Sequence, residues 1–181
     1  KYFANNNIKT HIMNNNFYGS SNVIFDLNNN LFIGDNKDSL YEIEDILNDN
    51  KKNYINLEFN TNEFNKLNMC LTPLDNKKIM LYEDAFTKES LKIIYSIYDE
   101  NHSIKINRED ALNLACNSVI VVNNLGNLCL VGHKYTNSLK KNLLEQGYDF
   151  IENNMSEIVK ENKSIKSVII NSELDFIQED I

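Results

Sequence analysis

The chain has no tryptophan, one proline, five glycines and a single arginine, Arg108. Arginine supplies most bidentate contacts to phosphates and bases, so its near absence excludes a conventional nucleic-acid face. A formal net charge of −8 points the same way and is read as serving solubility. No apolar run reaches the roughly 18 residues of a membrane-spanning helix. No signal-peptide core opens the sequence, although it starts at Lys1 rather than Met. Only three cysteines occur, Cys70, Cys116 and Cys129, without CxxC spacing and each in or beside an apolar run. They are expected to be buried free thiols in a reducing intracellular compartment, cytoplasmic or organellar, and no metal or other cofactor is expected. The three histidines, His11, His102 and His133, have no cysteine or carboxylate constellation of metal-ligand spacing around them.

What the chain has in abundance is asparagine, 33 of 181 residues. With lysine and isoleucine also common, this suggests an AT-rich coding genome and puts asparagine where other proteins use glycine in turns. Apolar residues make up 42%, an ordinary share for one globular domain with a real core. Short apolar runs flank asparagine-rich turns: 23–26 with 31–34, 69–74 with 78–82, and 118–122 with 128–132 read as hairpins. Leu91, Ile94, Tyr95 and Tyr98 recur at helical spacing after Thr87, a candidate N-cap. Leu139, Leu143 and Leu144 mark a second helix with Gly147 as its stop. Ser39 to Glu42 has the capping-box pattern of a third.

The grammar strand, turn, strand, helix, strand therefore recurs. Aligned on the residue before each first strand, the anchors are Asn22, Asn68, Asn117 and Ser167, at intervals of 46, 49 and 50 residues. Such a period signals repeats that bury their sheets only against neighbours. A fifth anchor, Asn6, stands too close to Asn22, so a segment is expected to be missing between residues 12 and 17 of the single domain 1–181. The acidic stretch 173–181 reads as a tail.

Lys66–Leu74, Tyr82–Phe86 and Glu109–Val119, in this order, resemble the pentein superfamily of guanidino-group-modifying enzymes, which includes arginine deiminase and dimethylarginine dimethylaminohydrolase, and within it the amidinotransferase-like branch. The resemblance covers about residues 17–172, with Tyr2–Ile8 added. It implies an α/β propeller of ββαβ units around a central channel, with the first and second blades incomplete here, and with Asn6, Asn22, Asn68, Asn117 and Ser167 lining the channel.

In that superfamily a cysteine thiolate attacks the guanidinium carbon, a histidine moves protons and carboxylates pair with the cation. By the resemblance, Lys66 stands at the histidine position, Asn68 and Asn22 at two aspartates, and Ser167 at the cysteine. These replacements imply a catalytically degenerate protein, a pseudoenzyme acting as a structural or binding subunit with protein partners in a larger assembly, for which a guanidino ligand is not expected. The alternative is a guanidino-group hydrolase or amidinotransferase-like enzyme with relocated catalytic groups. Cys70, expected on the same strand face as Asn68, and His133, at a strand end, are candidates for such relocation, weighed against a core thiol and a surface histidine.

Overall fold

The computed structural model describes residues 19–34, 43–44, 47–48, 53–161, 163 and 165–168. Asn6, His11, the gap expected between residues 12 and 17, the Ser39–Glu42 cap and the acidic tail lie outside the described residues.

Three three-stranded sheets repeat one topology. In the first, β1 (Val23–Phe25) pairs antiparallel with β2 (Leu31–Gly34), which pairs parallel with β3 (Ile55–Leu57). The second is β4 (Leu71–Pro73), β5 (Ile79–Leu81) and β6 (Ile104–Lys105). The third is β7 (Val119–Val122), β8 (Leu128–Gly132) and β9 (Asp149–Glu152). The parallel return needs a crossover, which helices Lys88–Ile97 and Asn137–Glu145 provide in the second and third sheets. The unit aligned on Asn22, expected to be incomplete, carries all three strands in the same order as the others.

Local chemistry explains the helix starts. Thr87 and Thr136, one repeat apart, each accept a bond from the backbone three residues on, from Ser90 N and Leu139 N, both at 3.2 Å. Asp110 ties the second start to the preceding unit by accepting from Thr136 N and Oγ1, both at 2.8 Å. Asn107 caps Arg108–Leu112 by accepting from Asp110 N at 2.9 Å. Asn29, in the first hairpin turn, has a φ of 61°, the left-handed conformation that asparagine tolerates. Gly147 stops its helix at φ 86°.

One large cluster, from Phe32 through Leu71, Ile94 and Tyr98 to Leu130 and Tyr135, forms the core. Its continuity from sheet to sheet fits the requirement that each unit bury itself against its neighbours. Gly132, at the end of β8, sits where any Cβ would collide with Tyr135 Oη and Ser118 Oγ. Those two oxygens are themselves hydrogen-bonded at 2.7 Å.

The anchors differ from the sequence reading in one respect. Residues just before the first strands are not strand starts but short helical turns: Gly19–Asn22, Leu67–Cys70 and Ala115–Asn117, with Ile165–Val168 at the position where a last strand was expected from Ser167. Leu67–Cys70 packs against both Gly19–Asn22 and Ala115–Asn117, and Ile165–Val168 packs against Ala115–Asn117. Leu114, which leads into the third turn, is left-handed at φ 56° and buried. In a non-glycine residue that conformation costs on the order of 1–2 kcal/mol, offset here by the packing around it.

Candidate active site

A cavity of about 610 Å³ lies between the first strands of the three sheets. Its wall includes β1, β4 and the start of β7, the turn residues Asp26 and Asp75, and the side chains of Asn68, Ser118 and Lys166. Much of the rest is apolar, for instance Val23, Ile24 and Ile120.

Of the expected channel residues, Asn68 lines this cavity. Asn22 and Asn117 are buried but do not line it. Asn22 Oδ1 accepts from Leu67 N at 3.1 Å, so it fastens one helical turn to the next. Among the described residues, neither side-chain polar atom of Asn117 has a hydrogen-bond partner. Lys66 is partly buried and leads into the Leu67–Cys70 turn. Ser167 lies on the Ile165–Val168 turn, directly after Lys166.

Cys70 does not share a face with Asn68. The two sit in one helical turn, where residues two apart point about 200° apart around the axis, whereas a strand would align them. The Cys70 thiol is fully buried and directed to Phe64 O at 3.7 Å, and burial pushes it well up, so it is a core thiol and no thiolate nucleophile. Cys116 and Cys129 are likewise buried and free. His133 Nδ1 accepts from Met155 N at 3.0 Å and braces the turn after β9. His102 is exposed and pairs with Asp99 at 2.7 Å.

The sequence reading missed Asp26, Asp75, Thr72 and Lys166. Asp26 accepts from the backbone of Asn28 (2.9 Å) and Asn30 (2.7 Å), from Asn30 Nδ2 (2.7 Å) and from Tyr98 Oη (2.7 Å). Asp75 accepts from the backbone of Lys77 and Lys78, both at 2.8 Å, and from Tyr148 Oη at 2.6 Å. Burial opposes the ionisation of each aspartate. The hydrogen bonds outweigh it, chiefly those from the Asn30 side chain and Tyr98 for Asp26 and from Tyr148 for Asp75, and hold both carboxyls below their usual range. Burial, followed by the carboxylate partner, pushes Tyr98 and Tyr148 up. The signal was the repeat itself: both members of each pair recur one period on.

These aspartates stabilise the fold only while ionised. Above the unfolded pKa near ~3.9 their contribution is complete, and it is lost as pH falls through the depressed folded values. Tyr98→Phe and Tyr148→Phe are each expected to cost about 1–2 kcal/mol at neutral pH and to move the acid-induced loss of stability to higher pH. Urea midpoints measured from pH 7 down to pH 2 check this; variants that track the unsubstituted chain throughout would mean that the tyrosines do not hold the carboxylates ionised.

Thr72, in the middle of β4, lies on the strand face opposite Leu71, which enters the core. Lys166 Nζ lies 3.0 Å from Thr72 Oγ1. Burial pushes the Lys166 ammonium below the usual lysine range, with Cys116 acting the other way.

No protein-family model matches the chain. It is 28% identical over 107 residues, 59% of its length, to a bifunctional arginine dihydrolase/ornithine cyclodeaminase, AgrE, from Nostoc sp., of which it spans 14%. Among solved structures, the N-terminal domain of the cyanobacterial arginine dihydrolase ArgZ, a cysteine-to-serine mutant with bound substrate, superposes with a TM-score of 0.77 at 25% identity. That match covers 92% of this chain and 61% of the ArgZ domain. DDAH from Pseudomonas aeruginosa bound to citrulline has a TM-score of 0.59 at 15% identity, over 81% of this chain and 52% of that one, a likeness of fold alone. Thus the chain spans about three fifths of the solved ArgZ domain.

These findings correct the expectation of a non-catalytic structural or binding subunit and count against reading the chain as no enzyme: the relatives named are arginine dihydrolases. The physical reason is that the four replaced positions argue against catalysis only if catalysis must run from them. The cavity wall carries other polar groups, Asp26, Asp75, Thr72 and Lys166. Among the described residues, no helix is long and apolar enough to cross a membrane.

Proposed function

We propose that this chain, a pentein-superfamily protein of α/β class, is a hydrolase of guanidino groups that works in the cavity between β1, β4 and β7 with catalytic groups relocated from the usual positions. One observation carries the reading: the cavity sits among the first strands of a fold that superposes on an arginine dihydrolase domain with substrate bound, and two ionised carboxylates line it. Asp26 and Asp75 give the cavity a negative potential that favours a guanidinium cation. Their oxygens are largely committed to the protein, so they attract the substrate rather than clamp it.

Release of ammonia from L-arginine, agmatine and N-methylated arginine, followed with the purified chain, tests the reading. Turnover of at least one of them, with a ureido compound left unchanged, is the expected result. No ammonia from any guanidino compound, at protein concentrations where the fold is intact by circular dichroism, would sink it.

A further inference from the structure

We propose that Thr72 and Lys166 are the nucleophile and the base of this cavity. The inference rests on the hydrolase reading above and names the groups that perform it. A hydroxyl nucleophile needs a base within hydrogen-bond reach, about 2.6–3.2 Å. Lys166 Nζ and Thr72 Oγ1 meet this at 3.0 Å, although 94 residues separate them in sequence. Both line the cavity. Among the described residues no carboxylate acts on Lys166, and burial, which outweighs the opposing pull of Cys116, favours the neutral amine that a base must be. Hydroxyl–lysine pairs are an established variant of the hydroxyl–imidazole arrangement. The turn Ala115–Asn117 packs against both β4 and the Ile165–Val168 turn, so the buried amide of Asn117 stands on the element next to the pair.

The steps balance. The neutral Lys166 amine takes the Thr72 hydroxyl proton as Oγ1 bonds to the guanidinium carbon. The resulting ammonium gives that proton to one amino group, the C–N bond breaks, and ammonia leaves an O-linked amidino ester on Thr72. Water then attacks the same carbon and yields a proton to Lys166. The C–Oγ1 bond breaks, Lys166 returns the proton to Thr72, and the remaining proton goes to ammonia. A guanidinium and a water become a ureido group and an ammonium ion.

The test is acid quenching during turnover of L-arginine, with peptide mapping by mass spectrometry. An amidino-group adduct on the peptide containing Thr72 is expected. Thr72→Val and Lys166→Met are expected to lower kcat by about 100-fold or more, Thr72→Ser to retain activity, and ethylamine to restore part of the activity of Lys166→Ala. A purely structural lysine would not respond to added amine. Ammonia release with the adduct on Ser167 or Cys70, or undiminished turnover in folded Thr72→Val or Lys166→Met, overturns the pair and leaves the hydrolase reading standing. If those variants do not fold, the position of the adduct in the unsubstituted chain decides. Absence of turnover on every guanidino compound removes the hydrolase reading itself, and the pair with it.

Discussion

Asp26→Ala is expected to destabilise the chain by roughly 3–4 kcal/mol. Hydrogen bonds to a charged group contribute about 1.5–3 kcal/mol each and do not add, and Asp26 accepts four. The alanine also strands the Tyr98 hydroxyl, whose residue is 1% exposed, and an unsatisfied buried donor costs a further ~1–3 kcal/mol. At about 2–4 °C per kcal/mol for a chain of this size, the melting temperature should fall by about 10 °C. Asp26→Asn, which keeps the shape and two acceptor sites, should lose less. Urea titration of the three proteins measures it. A loss within ~0.5 kcal/mol for the alanine would mean that the turn holds without its carboxylate.

Gly132→Ala is expected to cost about 2–3 kcal/mol, through overpacking. The methyl group has nowhere to go: Tyr135 Oη and Ser118 Oγ occupy its place. Tyr135 is buried in the core and Ser118 lines the cavity, so the strain reaches the site as well as the fold. Adding Tyr135→Phe removes one of the two obstacles. The double variant should therefore lose less than the sum of the two single losses, and a double-mutant cycle by thermal unfolding reads the difference. Strict additivity would place the strain elsewhere.

Much of the fold was legible in the sequence because local chemistry writes it there. Asparagine turns between apolar runs gave the hairpins, and Thr87 stands where a cap is required. The period survived because each unit solves the same packing problem. What the sequence obscured was the state of the anchors. Leu67-Asn68-Met69-Cys70 is apolar at three of four positions and runs directly into a strand, so alternation and one helical turn look alike over so short a span. The site was hidden for a different reason. Reading the superfamily's catalytic positions onto Lys66, Asn68 and Ser167 directs attention to what is replaced there. Thr72 and Lys166 meet only through the fold, and nothing in the local sequence of either announces a partner 94 residues away.

The aspartate–tyrosine pairs also bear on how the chain acquires its structure during synthesis. Asp26 takes the Tyr98 hydroxyl across 72 residues, and Asp75 takes that of Tyr148 across 73, each a reach into the following unit. A hairpin turn emerging from the ribosome therefore keeps an open acceptor until the helix of the next unit has been made. Contacts of such long sequence separation slow folding, because loop closure must precede their reward. The units are thus completed pairwise and late. A nascent chain arrested before Tyr98 should leave the first hairpin open to protease, and one extended past it should close.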